Sequence, residues 1–232
     1  MAFADELQQY AHTVFVSQWT HRQGESVPET DDIPLRNDGV NLDATVLYAD
    51  LADSTGLVLS HTAEFAAEVY KAYLYVAAKI IGRNGGSITA YDGDRIMAVY
   101  LGGTKNTNAA KTALQIHWAV NHVIQPALRS VYTGTDFTLE QKVGIDTSSV
   151  MVAKTGVRGH NDLVWVGTAA NRAAKLAALS TSYAAYISDD VFSAMLDSAK
   201  YGGDPAQLMW TDLGWNYNLG TRVYGSNWTW AV

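Results

Sequence analysis

Two aspartates at the ends of apolar stretches have the chemistry to bind metal ions. Asp50 ends the apolar run 44–50, and Asp94 follows an Asp92-Gly93 pair that lies between two alternating runs. Asp-Gly in that position predicts a β-hairpin, because the turn needs positive φ. By itself an aspartate after a strand is more typical of a helix cap or a turn. Together the two carboxylates indicate a two-metal phosphoryl-transfer site, because hard divalent cations prefer oxygen ligands.

A third segment strengthens this interpretation. The apolar run Leu163–Val166 ends at Gly167 and gives way to a predicted helix. Asn171 and Lys175 are four residues apart and therefore lie on one face of that helix.

The three segments, in this order and at these distances along the chain, resemble the class III nucleotidyl cyclase catalytic domain. The resemblance covers roughly residues 43–190. It implies a reaction in which the 3′-hydroxyl of a nucleoside triphosphate attacks its own α-phosphorus and expels diphosphate. It also implies two divalent metal ions, Mn²⁺ or Mg²⁺, and a homodimer whose active sites lie between the subunits.

The resemblance assigns roles to individual residues. Asp50, Asp94 and the backbone carbonyl of Leu51 match the metal ligands, and Asn171 matches the asparagine that orients the ribose. Lys175 stands where the family has a transition-state arginine. Lys142 stands where it has a phosphate-binding arginine. Lysine keeps the charge of arginine but not its planar fork, so a bidentate grip on phosphate is lost.

The turn after Asp50 is expected to hold the terminal phosphates. It is rich in small and polar residues, whose backbone N–H groups can point at an anion. The residues expected to contribute are Ala52, Asp53, Ser54 and Thr55.

The predicted base pocket lacks groups that read a purine. Adenine-specific members of the family use a lysine and an acidic or hydroxyl residue at positions that here hold Ala90 and Val164. Neither side chain forms hydrogen bonds, so a buried adenine edge would lose roughly 1–3 kcal/mol per unpaired group. Tyr48 alternates onto the same strand face as Asp50 and would narrow the pocket or stack on a smaller ring.

These substitutions resemble the pyrimidine cyclases of the bacterial Pycsar antiphage systems. The resemblance implies conversion of UTP to 3′,5′-cyclic UMP, a messenger read by a separate effector in antiviral defence. The alternatives are a cytidylate cyclase, an adenylate cyclase with an altered base pocket, and a catalytically silent nucleotide-binding domain. A P-loop NTPase is excluded, because the chain has no Gly-Lys-Ser/Thr sequence.

Composition narrows the function classes further. The 232 residues carry a net charge of −7, and no stretch concentrates lysine and arginine, which disfavours nucleic-acid binding. The absence of cysteine excludes disulfides and thiolate chemistry. No signal peptide or membrane span is indicated, so the expected location is cytoplasmic, with no membrane or nucleic-acid partner.

Two strand-helix units around a central hairpin predict an α/β (α+β) fold, a ferredoxin-like βαββαβ domain with a mixed or antiparallel central sheet. We expect this catalytic domain to span residues 43–232. Residues 1–42 are expected to form an N-terminal helix and a surface linker. A narrow apolar stripe on that helix leaves two interpretations open, a helix packed on its own domain or a dimer arm.

Overall fold

The computed structural model describes residues 2–180 and 182–232. The helices are α1 Phe3–Val16, α2 Ser54–Ser60, α3 Ala63–Arg83, α4 Lys105–Ala119, α5 Gln125–Val131, α6 Thr168–Ala177, α7 Asp189–Ala194 and α8 Asp197–Lys200. The first strands are β1 Thr20–Gln23, β2 Asp38–Leu51, β3 Ser87–Asp92, β4 Arg95–Tyr100, β5 Gln141–Val157, β6 His160–Val166 and β7 Ala185–Ser188. The last are β8 Tyr201–Gly202, β9 Gln207–Leu208, β10 Thr211–Asn216 and β11 Thr221–Ser226. A π-helical segment, Val120–Ile124, joins α4 to α5.

One mixed sheet forms the centre of the fold. Its strands run in the order β10-β11-β7-β5-β2-β4-β3, with β1 paired to β2 and β6 paired to β5. Successive side chains of a strand point to opposite faces. Leu47 and Ala49 of β2 accordingly pack against α3 and α4 on one face, and Val46 packs against α6 on the other. The predicted α+β fold with a mixed sheet is confirmed.

The central hairpin forms where the Asp-Gly signal predicts it. Strands β3 and β4 pair antiparallel from Asp92↔Arg95 to Ser87↔Val99. Gly93 takes a φ of +61°, which glycine adopts at little steric cost. The hairpin therefore fixes Asp94 at the start of β4, beside the end of β2.

Strand β5 differs from its prediction. We expected two strands separated by Thr147-Ser148-Ser149, but β5 is continuous through these residues and pairs with β2 from Gly39↔Ala153 to Leu51↔Gln141. The Thr147 hydroxyl donates to the Ala44 carbonyl at 3.1 Å, so the polar residues join the ladder instead of interrupting it. The polar residues 159–162 predict a loop, but β6 begins within them, at His160.

The expected surface linker is partly wrong. Residues Thr20–Gln23 form β1 parallel to the start of β2, and the predicted domain boundary at residue 43 falls inside β2. Val40 and Leu42 are buried, because the sheet extends six residues before the predicted strand start at 44. The sequence signal failed here because polar residues on one face mask the buried residues on the other.

The N-terminal helix α1 buries none of its residues. Phe3, Leu7 and Tyr10 are exposed. The end of α1 is held by Asn37, whose amide donates to the carbonyls of Val14 and Ser17 at 2.8 and 2.9 Å. The interpretation of α1 as a helix packed on its own domain therefore finds no support in its burial.

The alternating residues between 208 and 230 predict closing strands, and the C-terminal tail adds the antiparallel pair β10 and β11 to the sheet. Trp210 is buried, and its indole N–H donates to the Ala199 carbonyl at 2.8 Å. Within residues 2–180 and 182–232, no helix combines the length and apolar character required to cross a bilayer.

Candidate active site

Asp50 and Arg95 form the centre of the candidate site. Ala49 pairs with Ile96 in the antiparallel β2–β4 ladder, so the next residue along β2 lies beside the first residue of β4. Arg95 donates to Asp50 Oδ2 from Nη2 at 2.8 Å and from Nε at 3.1 Å. Arg95 was not anticipated from the sequence, although a cation directly after the turn aspartate was the available signal.

Asp94 lies in the same neighbourhood. Its Oδ2 atom is buried and has no hydrogen-bond partner among the described residues. Tyr73 lies beneath both aspartates, fully buried, with its hydroxyl donating to the Asp50 carbonyl at 3.4 Å. Burial raises the pKa of Tyr73, and the charges of Asp50 and Asp94 raise it further. The structure thus brings together the two aspartates that the sequence singled out.

The site is short of positive charge. Burial raises the pKa of Asp50, the hydrogen bond and charge of Arg95 lower it, and the charges of Asp94 and Asp92 raise it. The net direction is upward, so one arginine does not compensate the burial and the neighbouring carboxylates. A bound cation would favour the ionised form.

The donor set fits divalent metal. Within the described part of the chain, no group of three or more histidine, cysteine, aspartate or glutamate side chains could enclose an ion. Two carboxylates remain, Asp50 and the unpartnered Asp94, beside the strand end at Leu51. Mg²⁺ and similar hard ions are commonly held by one or two carboxylates together with substrate phosphates, which matches this incomplete set.

The turn after β2 offers fewer free amides than the sequence suggested. The Ala52 amide donates to the Glu140 carbonyl at 2.9 Å, and the Gly56 amide donates to Asp53 Oδ1 at 3.2 Å. Asp53 adopts a left-handed φ of +54° and caps α2 with this contact. An anion at this turn would therefore meet the first turn of α2, at Ser54 and Thr55, instead of the whole segment.

Lys142 lies next to Asp50 but is engaged elsewhere. The two residues are direct cross-strand partners in the β2–β5 ladder. The Lys142 ammonium donates to the carbonyl of Leu179, just after α6. A phosphate role requires this side chain to turn from α6 toward Asp50.

Asn171 and Lys175 lie on the exposed face of α6. The opposite face of α6 is buried against β5, where Gly144 permits close approach of the Ala173 carbonyl. Among the described residues, no hydrogen bond or ion pair joins Asn171 or Lys175 to Asp50 or Asp94. A single chain therefore presents the amide and amine outward, away from any contact with the carboxylates.

Arg172 anchors α6 and was not anticipated from the sequence. Its Nε donates to the Leu219 carbonyl at 2.9 Å, and its Nη1 lies 3.4 Å from Asp190 and 3.7 Å from Asp146. Asp146 is fully buried, and burial raises its pKa while Ser188, the Thr147 amide and Arg172 lower it. These contacts fix the helix that carries Asn171.

The predicted base-pocket residues are only partly brought together. The register aligns Ala90, Met97 and Tyr48 in one row across β3, β4 and β2. Val164 pairs with Ala153, which faces Gly39, nine residues before Tyr48 on β2. The register therefore does not place Val164 in the row with Tyr48 and Ala90.

Two proteins of similar sequence match this chain over its full length. The chain is 46% identical over 233 residues to a protein named uridylate cyclase from Xanthomonas perforans, covering 100% of both. It is 44% identical over 234 residues to a uridylate cyclase from Burkholderia cepacia, again covering 100% of both. No family model matches the sequence.

Solved structures show the same architecture at low sequence identity. The adenylyl cyclase CyaB from P. aeruginosa has a TM-score of 0.67 at 21% identity, over 81% of this chain and 95% of that chain. The guanylyl cyclase Cya2 has a TM-score of 0.66 at 19% identity, over 83% of this chain and 95% of that one. The fold is that of a class III cyclase domain.

Proposed function

The chain belongs to the uridylate cyclase family and is a nucleotide cyclase, and on that premise we propose that it converts UTP to 3′,5′-cyclic UMP and diphosphate. The observation that carries the proposal is the buried, unpartnered Asp94 oxygen beside Asp50, at the meeting point of two strand ends. A buried carboxylate oxygen without a hydrogen-bond partner destabilises the fold unless a ligand binds it. A triphosphate with its metal ions supplies the missing charge.

Two divalent ions, Mn²⁺ or Mg²⁺, would be held by Asp50, Asp94 and the Leu51 carbonyl. When bound, they lower the pKa of the attacking hydroxyl and neutralise phosphate charge. The ribose 3′-oxygen forms a bond to the α-phosphorus as the bond to the oxygen bridging the β-phosphorus breaks. Diphosphate leaves with that electron pair, and the hydroxyl proton passes to solvent.

The ribose and the phosphates are held by a side-chain amide, two lysines and backbone N–H groups. Asn171 orients the ribose, and Lys175 places its charge against the transferred phosphoryl group, where charge develops. The terminal phosphates lie along the turn of Ala52, Asp53, Ser54 and Thr55, with Lys142 opposite Asp50. Since Ala52 and Gly56 use their amides internally, Ser54 and Thr55 are the main donors there.

The active site is shared between two copies of the chain. In one subunit Asn171 and Lys175 face outward, without contact to the carboxylates. A homodimer would bring this face of α6 over the Asp50 and Asp94 of the partner, and the exposed helix α1 is suited to extend the same interface. A monomer is then inactive.

The base is a pyrimidine. Tyr48, half-buried in the row with Ala90 and Met97, would narrow a base pocket there or stack on a smaller ring. Ala90 offers no side-chain hydrogen bond, and neither does Val164, which lies outside that row. UTP is favoured over CTP, because these apolar substitutions offer no acceptor for the cytosine amine. Cyclic UMP then serves as a messenger for a separate effector in antiphage defence, made in the cytoplasm.

The shared site is tested by mixing two inactive variants, Asp94→Ala and Asn171→Ala. Heterodimers contain one intact site, so an equimolar mixture of confirmed dimers is expected to regain diphosphate release. A mixture that releases no diphosphate would contradict the shared active site. Competition between UTP, CTP, ATP and GTP with Mn²⁺ tests the base, and preference for a purine overturns the pyrimidine assignment.

A further inference from the structure

Arg95 lies between the candidate metal site and the row of residues in the predicted base pocket. Alternate residues of a strand share a face, so Arg95 and Met97 of β4 point to the same side of the sheet. Met97 is the cross-strand partner of Tyr48 on β2 and of Ala90 on β3. Burial raises the pKa of Tyr48, and the charge of Arg95 lowers it, as expected of a cation close to the phenol. The arginine therefore flanks the row at the end where Asp50 lies.

The guanidinium group of Arg95 has donors that its contact with Asp50 does not use. Its Nε and Nη2 atoms donate to Oδ2 of Asp50, whereas Nη1 has no hydrogen bond or ion pair among the described residues. Because the group is planar, these two contacts also fix the direction of the Nη1 N–H groups, away from Asp50. The side chain is 35% exposed, which leaves it accessible to a ligand.

A fixed arginine can distinguish the two pyrimidine bases. Its guanidinium group donates hydrogen bonds and accepts none. The hydrogen bond to Asp50 raises the pKa of Arg95, so the group stays in this form. At C4 uracil carries a carbonyl oxygen, as thymine does, whereas cytosine carries an amine. A donor beside this edge pairs with the uracil oxygen but meets the hydrogens of the cytosine amine, which leaves each group unpaired at a cost of roughly 1–3 kcal/mol.

We propose that Arg95 determines the preference for UTP over CTP, by donating a hydrogen bond from Nη1 to the O4 atom of uracil. This inference rests on the proposed function and adds to it a side chain that reads the base. Tyr48 bounds the space for the ring, and Ala90 offers no side-chain hydrogen bond that would compete. A contact of Arg95 with the phosphates would instead act on UTP and CTP alike, so the two roles can be separated.

The ratio of kcat/KM for UTP to that for CTP tests the assignment, with both nucleotides in competition at saturating Mn²⁺. The two substrates differ only in the base, so an effect on metal or phosphate binding that is common to both cancels in this ratio. Arg95→Gln replaces the cation by an amide that can donate or accept. We expect its preference for UTP to fall at least about tenfold. Arg95→Lys keeps a cation that only donates, and it is expected to retain a preference for UTP.

The control variant is Arg22→Gln, which removes an arginine paired with Asp38 far from the row and is expected to keep the wild-type ratio. A variant without activity is tested with 3′-deoxy-UTP and 3′-deoxy-CTP, which lack the attacking hydroxyl and cannot cyclise. The ratio of their dissociation constants, measured calorimetrically, is expected to change in the same direction.

The outcomes separate this inference from the proposed function. If the wild type cyclises UTP and Arg95→Gln keeps the wild-type ratio, the Arg95 assignment is overturned and the proposed function stands. A wild type that prefers CTP likewise overturns the assignment, because a donor does not select the cytosine amine. If the wild type prefers a purine, the proposed function fails, and the reading of uracil by Arg95 fails with it.

Discussion

Arg95 holds Asp50 through two hydrogen bonds to a single carboxylate oxygen, Oδ2, at 2.8 and 3.1 Å. The second oxygen of Asp50 receives none of these bonds. The arginine therefore occupies the position beside Asp50 that a metal ion would compete for. Asp94, the residue before Arg95, has a buried Oδ2 atom with no hydrogen-bond partner among the described residues.

Replacing Arg95 is expected to strengthen metal binding in the absence of nucleotide. Arg95→Ala removes a charge-assisted contact worth about 1.5 kcal/mol, so the affinity for Mn²⁺ alone rises about tenfold. Electron paramagnetic resonance of free Mn²⁺ measures this directly. The matched control is Arg22→Ala, which removes an arginine from Asp38 at 2.6 Å in a remote pair. Equal affinity in wild type and Arg95→Ala would show that the arginine does not compete with the metal.

Asp94→Asn separates stability from activity. The variant keeps the size of the side chain and removes one carboxylate charge, so its unfolding free energy in EDTA is expected to change by less than about 1 kcal/mol. Diphosphate release is expected to fall by at least about a hundredfold. This fall is larger than the one expected for a residue that only positions a metal ligand. The control, Asp92→Asn, changes an exposed residue of the same turn and keeps its activity. An active Asp94→Asn enzyme contradicts the metal role.

Local turn chemistry made the hairpin predictable. Asp92-Gly93 fixed the turn and placed Asp94 at the start of a strand. The alternating residues predict the first hairpin strand over Ser87–Tyr91, and β3 ends one residue later, at Asp92. The proximity of Asp50 and Asp94 was also predictable, because antiparallel pairing places the end of β2 beside the start of β4. Their ligand roles stay predictions, because they depend on ions and a second subunit.

Long-range pairing was not predictable in the same way. Thr147-Ser148-Ser149 looks like a turn, but Thr147 bonds across to Thr45 at 3.1 Å in the β2–β5 ladder. The salt bridge of Arg95 and the capture of Lys142 by the Leu179 carbonyl likewise depend on elements far apart in the chain. The pattern of a single sequence indicates which face of a helix or strand a residue occupies. It does not indicate which distant residue it will contact.

Gly144 is expected to control the position of α6. A Cβ atom at residue 144 would overlap the Ala173 carbonyl and the Ala177 amide, which are backbone groups that cannot move alone. Gly144→Ala should lower the unfolding free energy by at least about 2 kcal/mol and displace Asn171, raising KM as well as lowering kcat. Gly82→Ala is the control, since its Cβ meets nothing within 4 Å and helix propensity favours alanine by roughly 0.8–1.0 kcal/mol. Similar stability losses in both variants would contradict the packing argument.

His117 is expected to make stability depend on pH below neutrality. Burial lowers its pKa from the ordinary value of 6.5, and the nearby His122 lowers it further. As pH falls below about 6.5, the unfolded chain takes up a proton that folded His117 resists, so the free energy of unfolding decreases, by at most about 1.4 kcal/mol per pH unit for one proton. Above that pH the contribution is fully present.

Urea unfolding at pH 7.5 and 5.5 measures the slope, which His117→Gln is expected to reduce. His12→Gln, at an exposed position of α1, leaves the slope unchanged, and a wild-type slope in His117→Gln would assign the pH dependence to other groups.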